Sequence, residues 1–111
     1  MTQYQVHITE TAERDLNCAA DYIEFSLKNP QAAGTLLDEA ERVLSSLACM
    51  PERCALADDK LLAALGIRFI QVKSYLAFYV VDQDVGIVHI LRFLYGKSDW
   101  RSILHHSITT E

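Results

Sequence analysis

"IRFIQVKSYLAFYVVDQDVGIVHILRFLY", Ile67 to Tyr95, decides the fold. β-branched and aromatic residues dominate it, and two short polar interruptions divide it into three strand-length runs. "IRFIQVK" and "YLAFYVVD" are separated only at Ser74, which predicts a hairpin with a tight turn around Lys73 to Tyr75. "DQDVG", Asp82 to Gly86, predicts a second turn, and "IVHILRFLY" is the third strand. Tyr75, Phe78 and Tyr79 read as sheet core, Arg68 and Lys73 as solvated strand positions, and His7 and His89 as satisfied strand residues.

Working back from Ile67, "LLAALG" adds a helical turn before Gly66, and "MPERCALADDK", Met50 to Lys60, is the one loop of any length. Before it, Ala33, Leu36, Leu37, Ala40, Val43, Leu44 and Leu47 form the apolar stripe of a helix that ends ahead of Pro51. Asn29-Pro30 is its start signal, an N-cap followed by a proline at the first helical position. An earlier helix, Thr11 to Leu27, carries the stripe Ala12, Leu16, Ala19, Ile23 and Leu27, with Thr9 or Thr11 as its cap. The short link predicts an antiparallel helical hairpin. "YQVHIT", Tyr4 to Thr9, alternates as a half-buried strand.

Forward from Tyr95, Gly96 permits a turn, and Ser98 or Asp99 caps a short helix carrying Trp100, Ile103 and Leu104. The order is β-α-α-β-β-β with a C-terminal helix. It predicts one α+β domain, residues 1–111, with the helical hairpin packed on a mostly antiparallel sheet.

The chain has 111 residues, half of them apolar and 23% charged, enough for one modest core. No apolar run approaches the roughly 20 residues of a membrane span, and "MTQYQVHITE" lacks the layout of a signal peptide. A cytoplasmic protein without membrane association is expected. Cys18, Cys49 and Cys54 are odd in number and read as reduced thiols, with no neighbouring set that completes a zinc site. His105 and His106 are adjacent, so on a helix they point about 100° apart and chelate poorly. No metal or other cofactor is expected. Ten basic residues face 15 acidic ones, a net charge of −5, which argues against a protein that grips free nucleic acid by counterion release. The basic residues Arg68, Lys73, Arg92, Lys97 and Arg101 gather in the second half, so a local basic face remains open.

This succession, with "HITETAERDLNCAADYI", "LLDEAERVLSSLACMPER", "LGIRFIQVKSYLAFYVVD" and "IVHILRFLYGKSDW" in order, resembles the RelE/ParE superfamily of toxins from type II toxin–antitoxin modules. The resemblance covers essentially the whole chain. It implies a small antitoxin as partner, whose disordered segment folds onto the groove between helical hairpin and sheet. It also implies one of two targets: members resembling RelE cleave mRNA in the ribosome, and members resembling ParE poison DNA gyrase.

The RNA-cleaving branch commonly opens its penultimate strand with Tyr-Arg, where this chain has Tyr75-Leu76. Cleavage through 2′-OH attack needs a proton acceptor, a proton donor and cations for the phosphate. The set available would be Arg68, Arg92, Lys97 and a tail histidine, His105 or His106. Losing the strand arginine and carrying net negative charge favour the ParE-like branch, and "FLYGKSDW" is similar to that ending. The expected docking residues for target or antitoxin are then Arg92, Tyr95, Lys97, Trp100 and Arg101. Each has a plainer reading beside it: Arg92 as a solvent-facing or salt-bridged strand residue, Tyr95 and Trp100 as packing. A partner-binding remnant without toxicity is a third reading.

Overall fold

The computed structural model describes residues 3–109, so the outermost residues of the expected 1–111 domain lie outside the described part. The elements run β1 (Gln5–Ile8), α1 (Glu10–Asp21), a π-helical turn (Tyr22–Ser26), α2 (Pro30–Ser45), α3 (Lys60–Ala64), β2 (Arg68–Val72), β3 (Tyr75–Asp82), β4 (Ile87–Tyr95) and α4 (Trp100–Thr109). The α+β order read from the sequence is the order observed. A 3-10 turn at Ser46–Ala48 continues α2, and another at Pro51–Arg53 breaks up the expected loop.

Among the described residues the sheet has the order β1-β4-β3-β2. β2, β3 and β4 are antiparallel, and β1 lies parallel to β4 with Gln5 opposite Ile87 and Ile8 opposite Ile90. Parallel pairing of the first and last strands requires a long connection: the helical hairpin carries the chain from β1 to β2 at the far edge, and β3 and β4 return to place β4 beside β1.

Local chemistry explains the helix starts. The Thr9 hydroxyl accepts from the Ala12 N–H at 3.2 Å and Asn29 Oδ1 accepts from the Ala32 N–H at 3.1 Å, each relieving one unpaired first-turn donor. Thr9 is therefore the cap, and α1 starts at Glu10, one residue before the expected Thr11.

The first helix departs from the sequence reading at its far end. Instead of one helix to Leu27, α1 gives way at Tyr22 to a π turn, closed by the Leu27 N–H donating to the Tyr22 carbonyl at 3.0 Å. The wider turn rotates the chain away from its stripe. Ile23 still packs on the core, but Leu27, expected inside, is exposed. Leu37 is likewise exposed, whereas Leu36, Ala40, Val43, Leu44 and Leu47 are buried as their spacing predicts.

The sheet is covered on both faces. The hairpin face buries Val72, Ala77, Tyr79, Val88, Ile90 and Phe93 against α1 and α2. The opposite face buries Phe78 and Leu94 against Leu62 of α3 and Leu104 of α4, with Trp100 partly buried beside them. Ala77, Phe78 and Tyr79 of β3 are completely buried, as a central strand packed on two sides must be.

One irregularity shapes everything at the end of β4. Phe78 pairs with Arg92 but Tyr79 pairs with Ile90, so Leu91 is an extra residue, a β-bulge. Ile90 and Phe93 both reach the hairpin core while Leu91 and Leu94 reach the other. No described helix is long and apolar enough to cross a membrane.

Candidate docking site

The bulge sets the surroundings of Arg92. β1 stops at Ile8, leaving the outer edge of β4 without a strand partner beyond Ile90. There the α1 residue Asp15 takes over: its Oδ2 accepts from the Phe93 N–H at 3.1 Å and from Arg92 Nε at 2.7 Å, and its Oδ1 accepts from Arg92 Nη2 at 3.1 Å. Arg92 Nη1 donates to Ser107 Oγ of α4 at 3.0 Å. The side chains of Arg92 and Asp15 are only 19% and 16% exposed. One guanidinium thus ties β4 to helices α1 and α4, with the fork geometry that makes arginine–carboxylate pairs specific.

The other expected residues divide in the same way. Arg68 Nη1 donates to the Cys54 carbonyl at 2.6 Å, fastening the 50s loop to β2. His105 Nε2 lies 2.9 Å from Asp59 Oδ2. Asp59 also caps α3, accepting from the Leu62 N–H at 3.1 Å. That amide first, and then the His105 ring, hold its carboxyl below the usual range for an aspartate. Arg101 stacks its guanidinium 4.4 Å above the Trp100 ring and donates to the Asp58 carbonyl at 3.1 Å. Trp100 lies 5.1 Å from Phe78, centroid to centroid, and is half-buried. It closes the second core and is not the exposed anchor that its place after Lys97 suggests.

The members of the nuclease set are therefore drawn apart: Arg68 to the 50s loop, Arg92 to α1 and α4, and His105 to the N-cap of α3. Lys97 lies exposed in the turn after β4. Leu76, at the position where the resemblance puts a catalytic arginine, packs against the second core.

Tyr95 and Lys97 remain outward-facing, and the structure brings them to residues that sequence spacing had not connected. The Gly96 N–H donates to the Ser74 carbonyl at 2.8 Å, joining the exit of β4 to the β2–β3 turn. A Cβ at Gly96 would lie 3.1 Å from that carbonyl oxygen, so the glycine serves close approach. Tyr75 stacks on Phe93 at 5.1 Å and meets the Tyr95 edge at 5.6 Å. Burial pushes the Tyr75 phenol up, and the neighbouring Tyr95 and Tyr22 phenols add to it.

Tyr75 and Tyr95 line an open groove of about 630 Å³ with Tyr22, Ile23, Leu27 and Ser74. It continues into a second hollow of about 440 Å³ beside Asn29, Leu36 and Lys73. Of its lining, Tyr22 is 56% exposed, Leu27 57% and Tyr95 44%. Grouped exposed apolar side chains of this size mark a place where something docks. The sequence signal lay in Tyr22 and Phe25, aromatic residues off the stripe of a helix otherwise polar outside it.

Similarities to known proteins agree with this architecture. Residues 6–100 match the family described as the ParE toxin of the parDE type II toxin–antitoxin system. The fold is similar to that in a chromosomal ParDE toxin–antitoxin system of P. aeruginosa (TM-score 0.69, 18% identity), over 86% of this chain and 98% of that one. It is also similar to a chain of the RelBE2 toxin–antitoxin complex of Mycobacterium tuberculosis (TM-score 0.59, 24% identity), over 86% of this chain and 93% of that one. No curated protein matches the sequence.

Proposed function

This chain belongs to the ParE toxin family of type II toxin–antitoxin systems, and on that footing we propose that it arrests growth in the cytoplasm by docking on DNA gyrase. A cognate antitoxin neutralises it by folding a segment into the groove between helical hairpin and sheet. The observation that carries this reading is the capture of Arg92 by Asp15. A cutting site would need that cation turned towards phosphate, and Leu76 already removes a second one. An electrostatically prepared site is the largest contributor to such chemistry. What stays presented is an aromatic groove with Tyr95 on its wall and an exposed Lys97 two residues further along the chain, the make-up of a protein-binding anchor.

Two measurements test it. Induced alone, the chain should stop colony formation, and purified gyrase should lose supercoiling activity in its presence. In a purified translation system it should leave mRNA intact. Codon-dependent cuts abolished by Lys97→Ala would replace the gyrase reading with the ribosomal one.

A further inference from the structure

The face of the sheet turned away from the helical hairpin is not covered along its whole length. α3 and α4 close it over Phe78 and Leu94. Beyond them β1 forms the outer edge of the sheet, and Gln5 and His7 on it are exposed. The parallel register sets His7 directly beside His89 of β4, which is half-buried. Val6, Ile8, Val88 and Ile90 pack into the hairpin core, so strand alternation sends both histidines to the opposite face together. Their imidazole rings lie 5.7 Å apart, centroid to centroid, and cross at 83°.

These two rings touch each other and are otherwise uncommitted. From the sequence both read as satisfied strand residues, yet neither makes a hydrogen bond or ion pair among the described residues. His105, by contrast, is held by Asp59 at 2.9 Å. Two adjacent imidazoles, unpinned and open to water on the edge side, offer two nitrogen donors to one cation. Bound to the same zinc-like ion, each nitrogen about 2.1 Å from it, two imidazoles hold their ring centres roughly 5–6 Å apart. The observed spacing already meets that requirement, and each ring need only turn about its own side-chain bonds. The net charge of −5 further favours a cation at this surface.

We propose that His7 and His89 form a site for a divalent metal ion of the zinc or nickel type, and that the bound ion fastens β1 to β4. Imidazole selects such ions over magnesium and calcium, which take oxygen ligands. Among the described residues no third His, Cys, Asp or Glu joins the pair. The ion therefore keeps positions for water, and it exchanges more readily than one held by four protein ligands. Its leverage comes from where it sits. β1 is only four residues long and has β4 as its strand partner, so the ion reinforces the pairing that joins the start of the chain to its last strand. An ion that binds the paired strands and not the separated ones raises stability by mass action. This inference does not depend on what the toxin docks against.

Zinc chloride added to the full chain tests this by thermal melting and by titration calorimetry. Saturating zinc should raise the thermal midpoint by about 5 °C, with one ion taken up per chain. Magnesium at the same concentration should leave the midpoint unchanged. His7→Gln with His89→Gln should lose the shift. Both side chains lie outside the two buried cores, so this variant should fold, which circular dichroism checks. If it does not, His7→Gln alone, on the exposed edge, carries the same comparison. His7→Cys, which keeps a zinc-ligating atom, should retain the shift. Cys18→Ser with Cys49→Ser should retain it too. No zinc-dependent shift in the wild-type chain, a shift that survives loss of the histidines, or one abolished by removing the exposed thiols would overturn the assignment.

Discussion

Arg92 and Asp15, 77 positions apart, are joined through two hydrogen bonds of 2.7 and 3.1 Å, and the same carboxylate holds the Phe93 N–H. The pair fastens the first helix to the last strand where β1 has run out of length to do so. Removing the carboxylate strands a poorly solvated guanidinium and a backbone donor together. Asp15→Ala should cost about 2–3 kcal/mol. Arg92→Leu should cost less, since it keeps apolar packing and leaves Asp15 the Phe93 amide. Urea unfolding of both variants checks the order, and the reverse order would mean the pair does not clamp β4.

Acid should destabilise the molecule in part through Asp59. Its folded-state pKa is depressed by the Leu62 amide and then by His105. The stability it contributes is therefore fully present above the unfolded aspartate value, about 3.9, and is lost as pH falls through the lower folded value. Asp59→Asn keeps an N-cap acceptor but cannot titrate, so its acid-unfolding profile should be flatter below about pH 4. Circular dichroism at graded pH measures this.

Alkali should act through Tyr79, whose hydroxyl donates to the Pro51 carbonyl at 2.6 Å inside the core. Burial, and after it a hydrogen bond with Cys54, pushes its phenol well above the ordinary tyrosine range. A raised folded pKa contributes stability that is present below the unfolded value, about 10, and lost as pH rises through the folded one. Tyr79→Phe should cost about 1 kcal/mol at neutral pH by leaving that carbonyl unpaired. In the wild type, phenolate absorbance from Tyr79 should emerge only with unfolding.

Trp100 and Tyr95 should separate by phenotype. Trp100→Ala opens the core against Phe78 and should lower stability by about 3 kcal/mol. Tyr95→Ser with Lys97→Ala should leave the melting temperature within a few degrees of wild type yet abolish growth inhibition. A stable double variant that still stops growth would remove the groove mouth from the toxic surface.

Leu44, 7% exposed between the hairpin and the sheet, offers a direct check of that packing. Leu44→Ala should cost about 2–5 kcal/mol. An unchanged urea midpoint would contradict the burial of α2.

Much of the fold was legible because it is written locally. Asn29-Pro30 places a capping acceptor and a first-turn proline side by side at the start of α2, and the β3 run is apolar at both parities, as a strand buried on two faces must be. The departures came from features without local spelling. The π turn depends on how α1 meets its neighbours, so Leu27 looked like a core residue from its spacing alone. The bulge at Leu91 shifts side-chain parity without any glycine or proline to announce it. Arg92 and Asp15 were each visible as charges, but nothing in the sequence links residues so distant. Tyr95 and Lys97 were found because they stand at a strand end, whereas Tyr22 joined Tyr95 only once the end of α1 and the β2–β3 turn converged on the exit of β4.

The parallel alignment of β1 with β4 also governs when this protein exists as a folded object during synthesis. The Thr9 hydroxyl donates to the Ile90 carbonyl 81 positions later, and β1 has no other strand to pair with among the described residues. A nascent chain that has completed the helical hairpin and two strands still lacks the partner for its beginning and the arginine that anchors α1. Such dependence on sequence-distant contacts makes folding late and comparatively slow. The growing polypeptide therefore stays incomplete, and its groove unassembled, until β4 has cleared the ribosome. No partner can seat in the groove before that moment.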